Sequence, residues 1–252
     1  MIPVKTPAEI QGMRRAGRLS AALLAEVAAQ VRPGITTGEL DAFAAARMQA
    51  LGIRSAFLGY GGFPGHTCIS LNEEVVHGIP GPRAINAGDL VSVDLGVVVD
   101  GFIGDNATTV AVGVVDAESA RLCAAGAAAL AAGIAAARAG NRVGDIGQAV
   151  QAVAEAAGFS VVRDYCGHGV GRRLHEEPQI PNFGKAGQGP VLKAGMTLAI
   201  EPMINQGGCA VEVLADGWTV KTRDRRRSAH FEHTVLVTGP GPAEILTCAE
   251  MK

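Results

Sequence analysis

Four carboxylates interrupt apolar, β-rich runs: Asp94 in VSVDLG, Asp105 closing DGFIGD, Glu201 in TLAIEPM and Glu232 in HFEHTVLV. Burying an unpaired charge is expensive, so one such acid alone reads as a turn-end or strand-edge residue. Four are explained more economically by a shared cation. About four negative charges balance two divalent ions and a hydroxide, the arrangement with which two-metal hydrolases activate water. Carboxylate ligation without thiolate favours Mn, Fe or Co, with Zn also compatible.

The spacing of the first two acids fits that chemistry. If Asp100 and Gly101 are the central residues of a type I′ turn, facing residues sum to 100 + 101 = 201, so Asp94 faces Ala107 and Asp105 faces Gly96. Asp94 and Asp105 are then diagonal neighbours on one face of a hairpin, roughly 7–8 Å apart, within reach of one ion.

Of the histidines His66, His77, His168, His175, His230 and His233, context singles out those in YCGHGVGRRLHEEP and HGIP. His168 lies between Gly167 and Gly169, which allow close backbone approach. His175 precedes Glu176 and Glu177, but position 179 is Gln, so the H-E-x-x-H zinc helix is absent. The two glutamates are left without a catalytic role.

These residues need elements to hold them. Thr6-Pro7-Ala8-Glu9 is a capping box with proline at the first helical position, and it predicts an amphipathic helix running to about Pro33-Gly34. Thr36 and Glu39 predict a shorter helix ending near Gly52. Residues 70–113 read as strands, 116–139 and 143–158 as helices, and the remainder again as strands.

The order helices, strands, helices, strands suggests duplication. RPGITTGEL (32–40) matches RAGNRVGDI (138–146), and AGDLVSVDLG (87–96) matches AGMTLAIEPM (194–203), pairing Asp94 with Glu201. HGIP (77–80) and HEEP (175–178) share H-x-x-P. The expected architecture is α+β: one domain over residues 1–252, with pseudo-twofold halves of about 1–115 and 116–252, a central antiparallel sheet and outer helices.

Composition adds bounds. Net charge is −2, without the basic excess of a nucleic-acid-binding chain. Cys68, Cys123, Cys166, Cys209 and Cys248 form no CxxC pair or disulfide framework, which fits a reducing cytoplasm. The N-terminus MIPVKTPAEI has no signal pattern, and no stretch is expected to approach the roughly 18 uncharged apolar residues of a membrane span.

From KTPAEIQGMRRAGR through GYGGFPGHTCISLNEEVVHGIP, VSVDLG, DGFIGDNA, CGHGVGRRLHEEPQ and IEPM to DGWTVKTRD and EHTVLVT, the chain resembles the type I methionine aminopeptidases. That family shares the pita-bread fold with prolidase, aminopeptidase P and creatinase. The resemblance implies removal of the initiator methionine from nascent chains, preferring a small second residue, with two divalent ions (Co, Mn, Fe or Zn). It assigns Asp94 to one metal, His168 and Glu201 mainly to the other, and Asp105 and Glu232 to both. Glu201 is also implied as the proton shuttle. His77 and His175 are implied to contact the scissile peptide, His175 at the carbonyl oxygen.

Tyr60, Phe63, Cys68 and Trp218 are implied to line the methionine pocket, with Phe57 and Leu174 near it. Gly61, Phe63 and Leu174 depart from commoner family versions and bear on pocket shape. The run KTRDRRR, Lys221 to Arg227, reads as a solvated loop, with transient ribosome contact as the alternative. A monomer is expected. The rivals are an Xaa-Pro peptidase, whose members usually carry a further N-terminal domain, and a non-catalytic pita-bread binding protein, whose members have lost metal ligands.

Overall fold

The computed structural model describes residues 2–248. Helix α1 is Pro7–Ala28, with the Thr6 hydroxyl accepting the Glu9 N–H and the Glu9 carboxylate accepting the Thr6 N–H. It ends short of the expected Pro33-Gly34. Proline at 33 disfavours helical geometry at Arg32, and the Ala29 N–H already closes the last turn on Ala25 and Val27. Helix α2, Thr37–Ala50, uses the Thr36/Glu39 box. Helix α3, Ala117–Ala136, is capped by the Asp116 carboxylate accepting the Ser119 N–H, and α4 is Val143–Ala156.

One expectation is corrected by α3, which is long and apolar enough by length and composition to cross a bilayer. Its apolarity is mostly alanine, and Leu122, Ala125, Ala129, Leu130 and Ile134 are buried in the core.

The main sheet is antiparallel throughout. Its order is Arg54–Ser55, Leu90–Val99, Phe102–Ala111, Glu232–Leu236, Thr197–Ile200, Cys166–Gly169 and Glu176–Pro181. Cys68–Leu71 also pairs with Leu90–Val99, and Glu244–Ile245 with Glu232–Leu236. The long hairpin forms at Asp100 and Gly101, whose φ values of 50° and 77° are what a type I′ turn demands. Asp94 accordingly faces Ala107, and Asp105 faces Gly96.

Helix α1 lies against this hairpin so closely that a Cβ on Gly104 would overlap the Ala16 carbonyl. Two small sheets flank the main one: Met203–Asn205 between Ser228–His230 and Ser160–Val161, and Val220–Thr222 between Val211–Val213 and Glu74–Val76.

The two halves repeat their backbone pairing. Gly34 donates to Ile85 and Gly140 to Leu192; Gly38 donates to Gly81 and Gly144 to Gln188; Gly88 donates to Val112 and Gly195 to Val237. The halves meet where Phe102–Ala111 pairs with Glu232–Leu236.

Candidate active site

Sheet register brings the donors together. Asp94 pairs with Ala107 and Ala107 with Glu232, making one cross-strand row. Gly96 pairs with Asp105, the Asp105 N–H donates to Thr234 Oγ1, Thr234 pairs with Ala199, and Ala199 with His168, making the next row. Residues two apart on a strand share a face. Asp105 is two from Ala107, and Thr234 two from Glu232, so the rows lie on one face; Glu201, two beyond Ala199, continues the first row.

Asp105, His168 and Glu232 are buried and each offers an atom within 4.8 Å of the others, enough to hold a metal ion. His168 Nε2 is 3.7 Å from Asp105 Oδ2 and 3.5 Å from Glu201 Oε1. The other ring nitrogen, Nδ1, is 2.9 Å from the Gly169 carbonyl. That bond puts the hydrogen on Nδ1 and aims the Nε2 lone pair at the carboxylates, the tautomer a metal ligand needs.

Electrostatics fit a cation. Burial, then repulsion by neighbouring carboxylates, pushes the pKa of Asp94, Glu201 and Glu232 well above the usual range. Burial raises Asp105 to about 7 and lowers His168 to about 3, so the imidazole is neutral. Asp94 Oδ1, Asp105 Oδ1 and Glu232 Oε1 are buried without a hydrogen-bond partner. Buried polar atoms are rarely left unpaired, and oxygen and imidazole donors suit a divalent ion. The donor set fits the metal that the sequence implies.

Around the donors lies a cavity of about 140 Å³. It gathers all five donors with His77 and His175, and its apolar wall is Phe57, Tyr60, Phe63, Cys68, Leu174 and Trp218. Every site residue expected from the sequence is therefore in one place. Phe63 meets Trp218 edge-on at 5.2 Å, and His77 meets Trp218 at 6.3 Å. Cys68 pairs with Asp94 across strands; burial, then the Asp94 charge, raises its thiol pKa well above normal, so it lines the wall as a neutral group.

His77 has φ of 60°, in the left-handed region that side chains avoid. The next residue holds it there: the Gly78 N–H donates to Ser70 Oγ at 3.1 Å, and the Gly78 carbonyl accepts the Ile69 N–H at 2.9 Å. Burial, then His175, lowers its pKa to about 4. His175 stands 4.3 Å from the His168 ring, with Tyr60 Oη 2.6 Å from its Nδ1.

Sequence reasoning missed His230. Its Nε2 is buried, has no hydrogen-bond partner and lies 3.6 Å from Glu201 Oε2. The signal was available in HFEH, where 230 alternates with Glu232. His233, by contrast, bonds Thr247 Oγ1 through Nδ1 at 2.9 Å and does not line this cavity. In the basic run, Arg225 pairs with Glu212, Arg226 with Glu118 and Arg227 with Asp116.

Fold and donor set together define a class: a pita-bread protein built around a carboxylate-rich candidate metal site. The sequence pattern of metallopeptidase family M24 matches residues 11–239, and the chain belongs to that family.

It is 47% identical over 247 residues to a methionine aminopeptidase of Clostridium perfringens, covering 98% of this chain and 99% of that protein. Methionine aminopeptidase 1 of Bacillus subtilis matches with the same identity and coverage. The crystal structure of methionine aminopeptidase from Thermotoga maritima superposes with a TM-score of 0.96 at 47% identity, covering 98% of this chain and 99% of that one. Prolidase from Pyrococcus furiosus shares the fold with a TM-score of 0.78 at 25% identity, covering 98% of this chain and 66% of that one.

Proposed function

We propose that this protein is a methionyl aminopeptidase that removes the N-terminal methionine from nascent chains in the cytoplasm, preferring a small second residue. The observation that carries this reading is the cavity in which five metal-type donors face an apolar wall of aromatic rings and Cys68. Its volume of about 140 Å³ is well below the roughly 300–1,000 Å³ of drug-sized pockets, so it suits one side chain and a terminal amine rather than a threaded peptide. An unbranched, polarisable methionine suits such a wall. Full-length similarity to proteins named methionine aminopeptidase supports the same reading.

In this reading Asp94, Asp105, His168, Glu201 and Glu232 would hold the divalent metal. Bound divalent ions supply Lewis acidity and a nucleophilic water at neutral pH. The chain's own residues do the rest. His175 donates to the peptide carbonyl oxygen as negative charge develops there, and His77 orients the peptide from the opposite side. Glu201 accepts the proton of the attacking water and passes it to the departing amine. Trp218, Phe63 and Tyr60 exclude water from the methionine side chain. His77 and His175, one from each half and both lining the cavity, support a single catalytic domain made of two related halves.

The five free cysteines are consistent with a reducing compartment, and a cavity lined entirely by residues of one chain supports activity as a monomer. Pairing of Arg225, Arg226 and Arg227 with acids favours a structural loop over a ribosome-binding one.

One assay tests the reading: metal-reconstituted protein is incubated with Met-Ala-Ser and with an Xaa-Pro peptide, with and without chelator. Free methionine from the first alone, abolished by chelator, is expected. No methionine release with any divalent metal overturns it.

A further inference from the structure

Glu176, next to His175, has no part in the chemistry above, yet its carboxylate accepts three hydrogen bonds. Its Oε2 is 2.6 Å from Lys5 Nζ, and both side chains are 7% exposed. Its Oε1 accepts the backbone N–H of Arg172 at 3.1 Å and of Arg173 at 3.3 Å. The carboxylate thus sits inside the loop that leads from His168 to His175. A Cβ at Gly171 would lie 2.6 Å from Glu176 Oε1 and 2.8 Å from Lys5 Nζ, so a side chain there would push the ion pair aside.

Lys5 is itself fixed. Its N–H donates to the Gly195 carbonyl at 2.8 Å, and it immediately precedes Thr6, the cap of α1. The loop is tied to the hairpin as well: the Ile103 N–H donates to Gly171 O at 2.8 Å, and Arg172 lies over the Phe102 ring at 4.2 Å. After Glu176 the chain enters the sheet, where Glu176 pairs with Gly169. His175 is therefore the last loop residue before a strand, its backbone held from behind by a closed ion pair.

We infer that the Lys5–Glu176 ion pair is a latch that positions His175 over the site, making both residues positioning residues for the reaction. The inference rests on the proposed role of His175 at the peptide carbonyl. A buried charge-assisted contact with both partners anchored restricts the loop far more than an exposed pair does. Because the carbonyl contact matters in the transition state, loss of the latch lowers kcat and leaves KM and metal content unchanged.

The test uses Lys5→Met, Lys5→Arg, His175→Ala and the Lys5→Met/His175→Ala double variant of the full chain. Metal content, melting temperature, and kcat and KM for Met-Ala-Ser are measured for each. Lys5→Met is expected to lose about 10- to 100-fold in kcat at unchanged KM and metal content, with Lys5→Arg recovering to within about threefold of the parent. In the His175→Ala background Lys5→Met is expected to cost nothing further, because both act through one side chain.

A Lys5→Met enzyme as fast as the parent, a loss that multiplies with that of His175→Ala, or loss of metal overturns the inference. If His175→Ala itself retains full turnover, the proposed role of His175 fails instead. Should Lys5→Met not fold, Glu176→Gln, which keeps the shape without the charge, is judged by the same measurements.

Discussion

Tyr60 Oη lies 2.6 Å from His175 Nδ1, so a residue of the pocket wall is hydrogen-bonded to the histidine expected at the peptide carbonyl. When the phenol hydroxyl is the donor in this bond, the imidazole hydrogen is left on Nε2, where a donor to a carbonyl oxygen is needed. The same tyrosine then both walls the pocket and orients its neighbour. Tyr60→Phe is expected to lower kcat for Met-Ala-Ser about tenfold with metal content unchanged, since it removes one hydrogen bond that matters in the transition state. Turnover equal to the parent's refutes the assignment.

His168 and His175 have rings only 4.3 Å apart, but separate roles are expected of them. His168→Ala removes an imidazole aimed at Asp105 and Glu201, so elemental analysis of dialysed protein should show loss or weakening of one metal. His175→Ala should keep the metal content and lose turnover. Equal metal loss in both variants contradicts this division.

Metal removal exposes the cost of the acidic cluster. Without metal, burial raises the carboxyl pKa of Asp94, Glu201 and Glu232 well above normal and that of Asp105 to about 7. For these four carboxyls the folded state then binds more protons than the unfolded one, whereas the buried neutral His77, His168 and His230 act in the opposite sense as pH falls below the ordinary imidazole pKa. The carboxyl contribution to stability is fully present below the ordinary carboxylate pKa and is lost as pH rises through the folded values. Above the imidazole range only the carboxyls count, so chelator-treated protein should melt at a lower temperature at pH 9 than at pH 7, and added divalent metal should raise the pH 9 value most. A pH-independent melting temperature for the chelated protein contradicts this.

Gly104 sets the distance between α1 and the hairpin strand carrying Asp105. Gly104→Ala should destabilise the fold by roughly 1–3 kcal/mol, because the added methyl meets backbone that has no flexible end to move. A denaturant midpoint matching the parent's shows that the helix shifts freely.

Much of this was legible locally. The capping boxes at Thr6 and Thr36 placed two helix starts, because a cap is satisfied within four residues. Asp100-Gly101 placed the hairpin register, and with it the relation of Asp94 to Asp105, because a two-residue turn dictates which residues face one another. Resemblance, not spacing, supplied the roles of His77, His175 and the pocket wall. The end of α1 was misjudged because a helix stops where its last carbonyls find partners, and the periodic pattern continued past that point.

Three relationships could not be read along the chain. Glu201 meets His230 only because Met203–Asn205 folds against Ser228–His230, and Glu176 meets Lys5 across 171 positions. Phe102–Ala111 meets Glu232–Leu236 at the join of the two halves.

The sequence by itself determined the donors, their two-residue alternation on strands and the turns that orient them, since these depend on neighbours a few residues away. Only the tertiary structure decided which strands lie side by side, and so which carboxylates share one buried face. That choice depends on the burial of whole surfaces, which no local pattern encodes.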